Sequence, residues 1–310
     1  MTQTIGFIGL GSMGAGMTRN LLKAGFRVQG YDVDFSRAEA LRADGVEAAQ
    51  TPAQAADGAD ILGVCVFNQA QAEAALFGEN GACERLSAGS TVMMHTTMSP
   101  GAASALEQRL TGAGYRLVDA PVTGGKQGAD DGTLTIIASG TDAAMATVEK
   151  AFEAMGRRVY RIGEAAGAAS QVKMINQLLV GVNSIAAIEA ITLATKAGAD
   201  PNVVYDVITH GGGNSVSFKT RIPFILEEDF DPRGIVEIFT KDLSIVAEAA
   251  AALGVDVPLT QAALAQFEAA VAAGWGKLDD SAVVKVYEAR SGVNVAAAAR
   301  AAGDDAADGP

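Results

Sequence analysis

The stretch IGFIGLGSMGAGM, residues 5–17, decides how the rest of the chain is read. An apolar run gives way to Gly9, Gly11 and Gly14 in the order G-x-G-x-x-G. That spacing allows a tight turn and brings backbone N–H groups at a helix N-terminus close to a pyrophosphate. The pattern carries weight only with a strand before it, a helix after it and an acidic residue about 20 positions on. TIGFI (4–8) reads as a buried parallel strand, and SMGAGMTRNLLKAG (12–25) places Met13, Met17 and Leu21 at helical spacing with Gly25 as a stop. FRVQGYD (26–32) reads as the next strand and ends on Asp32, which is placed to accept hydrogen bonds from the adenosine ribose hydroxyls. The Asp32 charge would repel a 2′-phosphate, so the turn is expected to hold NAD, with NADP disfavoured; Arg37 close by is the counter-signal.

Further strands are expected in DILGVCV (60–66), STVMMH (90–95), YRLVD (115–119), LTIIAS (134–139) and RVYRI (158–162), most of them separated by helix-like segments. This alternation predicts an α/β Rossmann-type doubly wound sheet over residues 1–163, with ligands at the C-terminal ends of its strands. After Gly163 the β-branched runs stop and Ala-rich helical segments take over, so residues 164–295 are expected to form an all-α domain. Residues 168–197 read as one long helix, Asp200 and Pro201 as the N-cap and first residue of the next, and 234–253, 258–273 and 279–290 as three more. The segment 296–310 lacks large apolar side chains and is expected to be disordered.

Composition narrows the function. A formal charge of -13 argues against binding a polyanion such as DNA, which needs clustered Lys and Arg. The two cysteines, Cys65 and Cys83, form no C-x-x-C pair, which fits a reducing cytoplasm and excludes a disulfide framework. The N-terminus shows no signal peptide, and no run is read as reaching transmembrane length, so no membrane partner is expected.

Three other stretches could carry chemistry. In DAPVTGGKQGADDGTLT (119–135), Thr123 stands before Gly124 and Gly125 directly after a strand, a backbone nest for an anion such as a carboxylate, or simply a tight turn. In GAASQVKMINQLLVG (167–181), Lys173, Asn176 and Gln177 share one helical face among apolar neighbours. A Lys that is partly buried there can act as general acid or base; a solvated Lys is the plainer alternative. FTKDLSIVAEAA (239–250) brings Lys241 and Asp242 to the start of another apolar helix, where a helix-end ion pair is the plainer reading. His95 and His210 are minor acid/base alternatives, and neither has neighbours at ligand spacing, so no metal is expected.

Taken in order, GFIGLGSMGAGM, DAPVTGG, KMINQ and FTKDL resemble the four signatures of the β-hydroxyacid dehydrogenase family, over residues 4–290. The resemblance implies an NAD-dependent dehydrogenase that oxidises the hydroxyl of a small 3-hydroxy acid. It implies Lys173 as the catalytic residue, Asn176 beside it to orient substrate, and Thr123, Gly124 and Gly125 to bind the substrate carboxylate. Cofactor contacts are implied for Gly9, Gly11, Ser12, Met13, Gly14 and Asp32, for Phe67 and Asn68 of CVFNQ, for Thr96 and Thr97 of HTTMSP, and for Lys241. YDVITHGGGNS, FTKDLSIV and GKLDDSAVVKVYE look most like the L-threonate dehydrogenases of the family; 3-hydroxyisobutyrate dehydrogenase and tartronate semialdehyde reductase activities are the alternatives, and a non-catalytic NAD-binding regulator is the alternative of another class. Ala169 and His95 depart from the usual family pattern. The long helix around Lys173 is apolar on several faces, which one small domain does not cover, so a homodimer or homotetramer built through the helical domain is expected.

Overall fold

The computed structural model describes residues 3–307. It divides into two compact units, one up to Met174 and one from Ile175.

The first unit runs β1 (Thr4–Ile8), α1 (Gly14–Lys23), β2 (Arg27–Tyr31), α2 (Phe35–Ala40), β3 (Glu47–Ala48), α3 (Pro52–Ala56), β4 (Ile61–Val64), α4 (Gln69–Phe77), β5 (Thr91–Met94), α5 (Pro100–Gly112), β6 (Arg116–Asp119), β7 (Val122–Thr123), α6 (Gly125–Asp131), β8 (Leu134–Ser139), α7 (Asp142–Met155) and β9 (Gly156–Gly163). The strands lie in the order β3-β2-β1-β4-β5-β6, all parallel, so every neighbouring pair ends at the same edge of the sheet. β8 then pairs antiparallel with β6 and β7, and β9 runs parallel to β8. This is the doubly wound arrangement expected from the sequence, closed by an antiparallel turn-back.

Alternation along the buried strands explains the layering. Ile5, Phe7, Ile61 and Met93 face one core together with Met17, Leu21 and Phe152. Ile8, Leu62, Val64, Val92 and Met94 face the other with Leu76, Leu106 and Leu110. The two-residue strands β3 and β7 escape a periodicity reading because they are too short to show one.

The chain continues into α8 (Ala168–Lys196), whose 29 residues realise the long helix expected from the sequence. The boundary expected after Gly163 is displaced into this helix, because its first turn is hydrogen-bonded to β6 and β8. α8 also corrects the expectation that no run reaches transmembrane length: by length and composition it is long and apolar enough to cross a membrane. Its buried Ile185, Ile188 and Ile191 instead centre the core of the second unit.

Around that core lie α9 (Pro201–Thr209), α10 (Val216–Glu227), α11 (Val236–Leu253), α12 (Pro258–Ala272), α13 (Val284–Ser291) and α14 (Val295–Ala307). Asp200 caps α9 by accepting from Asn202 N, with Pro201 in the first turn, as expected. Phe239 and Phe267 stack at 5.0 Å between α11 and α12. α10 was not expected, because it contains Pro223. Proline removes the hydrogen bond to the carbonyl four residues earlier. That carbonyl belongs to Lys219, and the Tyr205 hydroxyl donates to it at 3.1 Å, so a partner from α9 keeps the helix continuous.

The tail expected to be disordered from residue 296 is instead helical as far as Ala307; residues 308–310 lie outside the described residues. Alanine has the highest helix propensity. Val295, Ala296 and Ala299 are buried, and Asn202 Nδ2 donates to Ala299 O at 2.9 Å. Small side chains pack closely here where large ones are missing.

Candidate active site

In the first unit the residues expected to meet the cofactor follow the C-terminal ends of the adjacent parallel strands β2, β1, β4 and β5. After β1 the chain turns at Gly9, whose φ is +93° and where a Cβ would stand 2.2 Å from Cys65 O. A Cβ on Gly14 would fall 1.9 Å from Gly9 O, so this turn closes only with glycine at both ends. At Gly11 a Cβ would meet nothing closer than Arg37 at 3.6 Å, which leaves the outer side of the turn open. α1 then starts with no side-chain cap on its first N–H groups. Open glycine backbone leading into an uncapped helix N-terminus fits a pyrophosphate. Ser12 is exposed and Met13 half-buried beside it.

Asp32, just beyond β2, is 5% exposed and does more than wait for a ribose. Its Oδ2 accepts from Leu10 N at 2.7 Å and its Oδ1 from Asp34 N at 2.9 Å, which ties the end of β2 to the glycine turn. Arg37, half exposed, lies 3.6 Å from Asp32 and 3.5 Å from Asp34, so two carboxylates already engage it.

Similar lateral ties run along the edge. Thr96 Oγ1, buried beyond β5, accepts from Val66 N at 3.0 Å beyond β4. Ala120 N donates to Met94 O at 2.9 Å. Asn68 caps α4 by accepting from Gln71 N, and Phe67 N donates to the Gln71 side chain, so both are fixed at the edge by local bonds. Thr97 follows Thr96 and is half-buried. His95 sits beneath, its Nδ1 2.8 Å from Ala120 O and its ring between Phe7 and Phe152. Burial lowers its pKa to about 4, so it is a neutral core histidine. His210 is exposed beside Asp206. Burial pushes the Cys65 thiol up to about 12, which leaves it without thiolate character.

After β7, Gly124 and Gly125 adopt φ of +131° and +64° and stand exposed at the uncapped start of α6, with Thr123 half-buried before them. Exposed N–H groups in a glycine turn at a helix start can take an anion.

On α8, Lys173 is 6% exposed, within the first unit. One turn on, in the second unit, Asn176 Nδ2 donates to Gln177 Oε1 at 3.0 Å, and Gln177 Nε2 donates to Asp242 Oδ2 at 2.5 Å. Lys241 Nζ lies 2.7 Å from the other Asp242 oxygen. The structure thus joins the KMINQ and FTKDL stretches through a buried carboxylate, 2% exposed. Gln177 and Asp242 are the members that the sequence reading left out of the site; the i+4 position of Gln177 on the Lys173 face was the available signal. Among the described residues no cluster of three or more His, Cys, Asp or Glu side chains could hold a metal ion.

Comparison with known proteins gives two successive matches along the chain. Residues 4–163 match the NAD-binding domain of 6-phosphogluconate dehydrogenase, and residues 167–287 match the NAD-binding region of NADP-dependent 3-hydroxyisobutyrate dehydrogenase. An L-threonate dehydrogenase of Cupriavidus necator is 44% identical over 291 residues, covering 93% of this chain and 97% of its own. An L-threonate dehydrogenase of Escherichia coli is 40% identical, covering 91% and 94%. A crystal structure of 3-hydroxyisobutyrate dehydrogenase from Salmonella typhimurium superposes with a TM-score of 0.87 at 41% identity, over 92% of this chain and 99% of that one.

Proposed function

The chain belongs to the β-hydroxyacid dehydrogenase family, enzymes that act on CH–OH groups with NAD(P), and on that premise we propose that its substrate is L-threonate and its oxidant NAD. The observation that carries the substrate is the 44% identity, over nearly the whole chain, to a relative named for that acid.

In this reading the backbone of Gly9, Gly11, Ser12, Met13 and Gly14 holds the pyrophosphate and Asp32 the adenosine ribose. Phe67, Asn68, Thr96 and Thr97 line the cofactor further along the same strand edge, and Lys241 is assigned to it by the family resemblance. A 2′-phosphate would meet the Asp32 carboxylate, and Arg37 is already paired with Asp32 and Asp34, which supports NAD over NADP. When bound, NAD supplies the hydride acceptor. The substrate carboxylate rests on the Thr123 hydroxyl and the N–H groups of Gly124 and Gly125, and the family resemblance assigns Asn176 to orienting substrate. Lys173 Nζ takes the hydroxyl proton during oxidation and returns it during reduction. Its burial excludes bulk water as a competing acceptor.

The test is NADH formation against L-threonate, D-threonate, glycerate, 3-hydroxyisobutyrate, 3-hydroxypropionate and serine. The highest kcat/KM is expected with L-threonate; a preference for any other acid by tenfold or more would replace the substrate, and silence across the panel with intact NAD binding would favour a regulator. Replacing NAD by NADP should lower kcat/KM, and a gain would overturn the role given to Asp32.

We further infer a homodimer or homotetramer in the cytoplasm. In the second unit α8 buries Ile185, Ile188 and Ile191 but leaves Ile175, Leu179 and Leu193 between 51% and 69% exposed, and α9 leaves Val203 and Val207 exposed as well. A second copy of the chain would cover such a face. A single species at the 31.5 kDa chain mass in light scattering at micromolar concentration would contradict it.

A further inference from the structure

The start of α8 is held from outside the helix. The first N–H groups of any α-helix lack partners within it. Gly167, directly before α8, has no side chain with which to cap them. Two residues on neighbouring strands do so instead. Asp119 ends β6 and is 0% exposed; its Oδ2 accepts from Gly167 N and from Ser170 N, both at 2.9 Å, and its Oδ1 accepts from Ser170 Oγ at 2.8 Å. Ser139, paired with Asp119 in the sheet register, accepts from Ala169 N at 3.2 Å and hydrogen-bonds the same carboxylate.

The backbone just before the helix is fixed as well. Ser104 Oγ donates to Ala166 O at 2.8 Å. Gly167 has φ +100°, and a Cβ there would lie 2.7 Å from Pro100 O, so the chain passes directly against α5.

Every group named around Asp119 can donate to it, and backbone N–H groups can do nothing else, so the site is built for the carboxylate rather than the acid. Burial raises its pKa and these hydrogen bonds oppose the rise. Burying a charge is costly unless it is fully hydrogen-bonded, and a neutral Ser or Asn can cap a helix without that cost. What distinguishes this helix is its cargo. Lys173 lies three residues beyond Ser170, on the same face, and is itself almost fully buried. Asp119 also opens the DAPVTGG stretch, so one residue begins the loop that carries Thr123 and holds the helix that carries Lys173.

We propose that Asp119 is a positioning residue for Lys173: its buried carboxylate fixes the first turn of α8 and so sets the distance between the Lys173 amine and the Thr123–Gly125 nest. This rests on Lys173 being the acid/base. A misplacement of about 1 Å can cost on the order of 100-fold in rate without touching the chemistry itself.

The experiment is a double-mutant cycle on the full-length enzyme with its best substrate: wild type, Asp119→Asn, Lys173→Ala and the double variant. Each is measured for kcat, KM, NADH affinity by fluorescence titration and thermal melting. Asn preserves the shape but turns an NH2 group toward N–H donors. Asp119→Asn should lower kcat roughly 30-fold and leave KM and NADH affinity within about threefold. In the Lys173→Ala background the same change should alter kcat by less than about threefold, since the group it positions is gone. An Asp119→Asn enzyme with kcat within about threefold of wild type overturns the proposal. So does an equal loss on both backgrounds, which is what a purely structural role would give. If Asp119→Asn does not fold, Ser170→Ala takes its place, because it removes one hydroxyl and keeps both backbone bonds; a fall of roughly fivefold confined to the Lys173 background supports the proposal, and unchanged kcat overturns it. Wild-type kcat in Lys173→Ala would overturn the acid/base reading and this proposal together, whereas a crippled Lys173→Ala beside a normal Asp119→Asn overturns this proposal alone.

Discussion

The strand edge of the first unit and the side-chain cluster of the second solve the same problem, fixing polar groups inside an apolar protein, by different means. The edge is built around backbone N–H groups, held by the Asp32 and Thr96 side chains and the Met94 carbonyl. Gly9, Gly11 and Gly14 shape a turn, and Leu10 N, Val66 N and Ala120 N are bound laterally from one strand end to the next. The cluster is built from side chains, Asn176 to Gln177 to Asp242 to Lys241, brought together from helices far apart in sequence. Backbone-built sites tolerate few residue types at their tight points; side-chain clusters depend instead on charge and hydrogen-bond balance.

Substitutions at the two places should therefore fail differently. The largest effect is expected for Gly14→Ala, whose Cβ would overlap Gly9 O at 1.9 Å. Because backbone must move, stability should fall by about 3 kcal/mol and NAD binding should be lost, checked by melting and by NADH titration. Retained NADH affinity would mean that the turn is not the pyrophosphate site. In the cluster, Asp242→Asn should leave the fold intact but weaken the hold on Lys241 and Gln177, lowering kcat/KM roughly 10-fold, about 1.4 kcal/mol, by steady-state kinetics. An unchanged kcat/KM would reduce the cluster to a packing feature.

That difference also governs what the sequence disclosed. The edge was legible because a strand, three glycines, a helix and Asp32 stand at set spacings within one short segment, and because parallel strands announce themselves as apolar runs. The cluster was only half legible: the helical face of Lys173, Asn176 and Gln177 followed from 3.6-residue periodicity, but the link from Gln177 to Asp242 is a tertiary contact that no spacing encodes. Asp119 escaped for the same reason, since its partners Gly167 and Ser170 lie on a different element. α10 and α14 were missed because Tyr205 offsets the proline and because alanines pack where larger residues were sought.

The smallest effect concerns acid, and it sharpens the contrast at the edge's buried floor. His95 titrates at about 4 when folded against 6.5 ordinarily, because burial disfavours its charged form. Between those values the unfolded chain binds the additional proton, so stability is intact above pH 6.5 and declines as pH falls toward 4. His95→Gln should flatten that part of the stability curve in urea melts taken across the window. An unchanged acid slope would show that other groups set it.

The proposed mechanism has Lys173 move the proton while the strand edge of the first unit holds the cofactor. It is tested most directly by pre-steady-state and steady-state kinetics of Lys173→Ala together with NADH titration. Turnover should fall roughly 10²- to 10⁴-fold with NADH affinity within about twofold of wild type; near wild-type turnover with the best substrate would contradict the account.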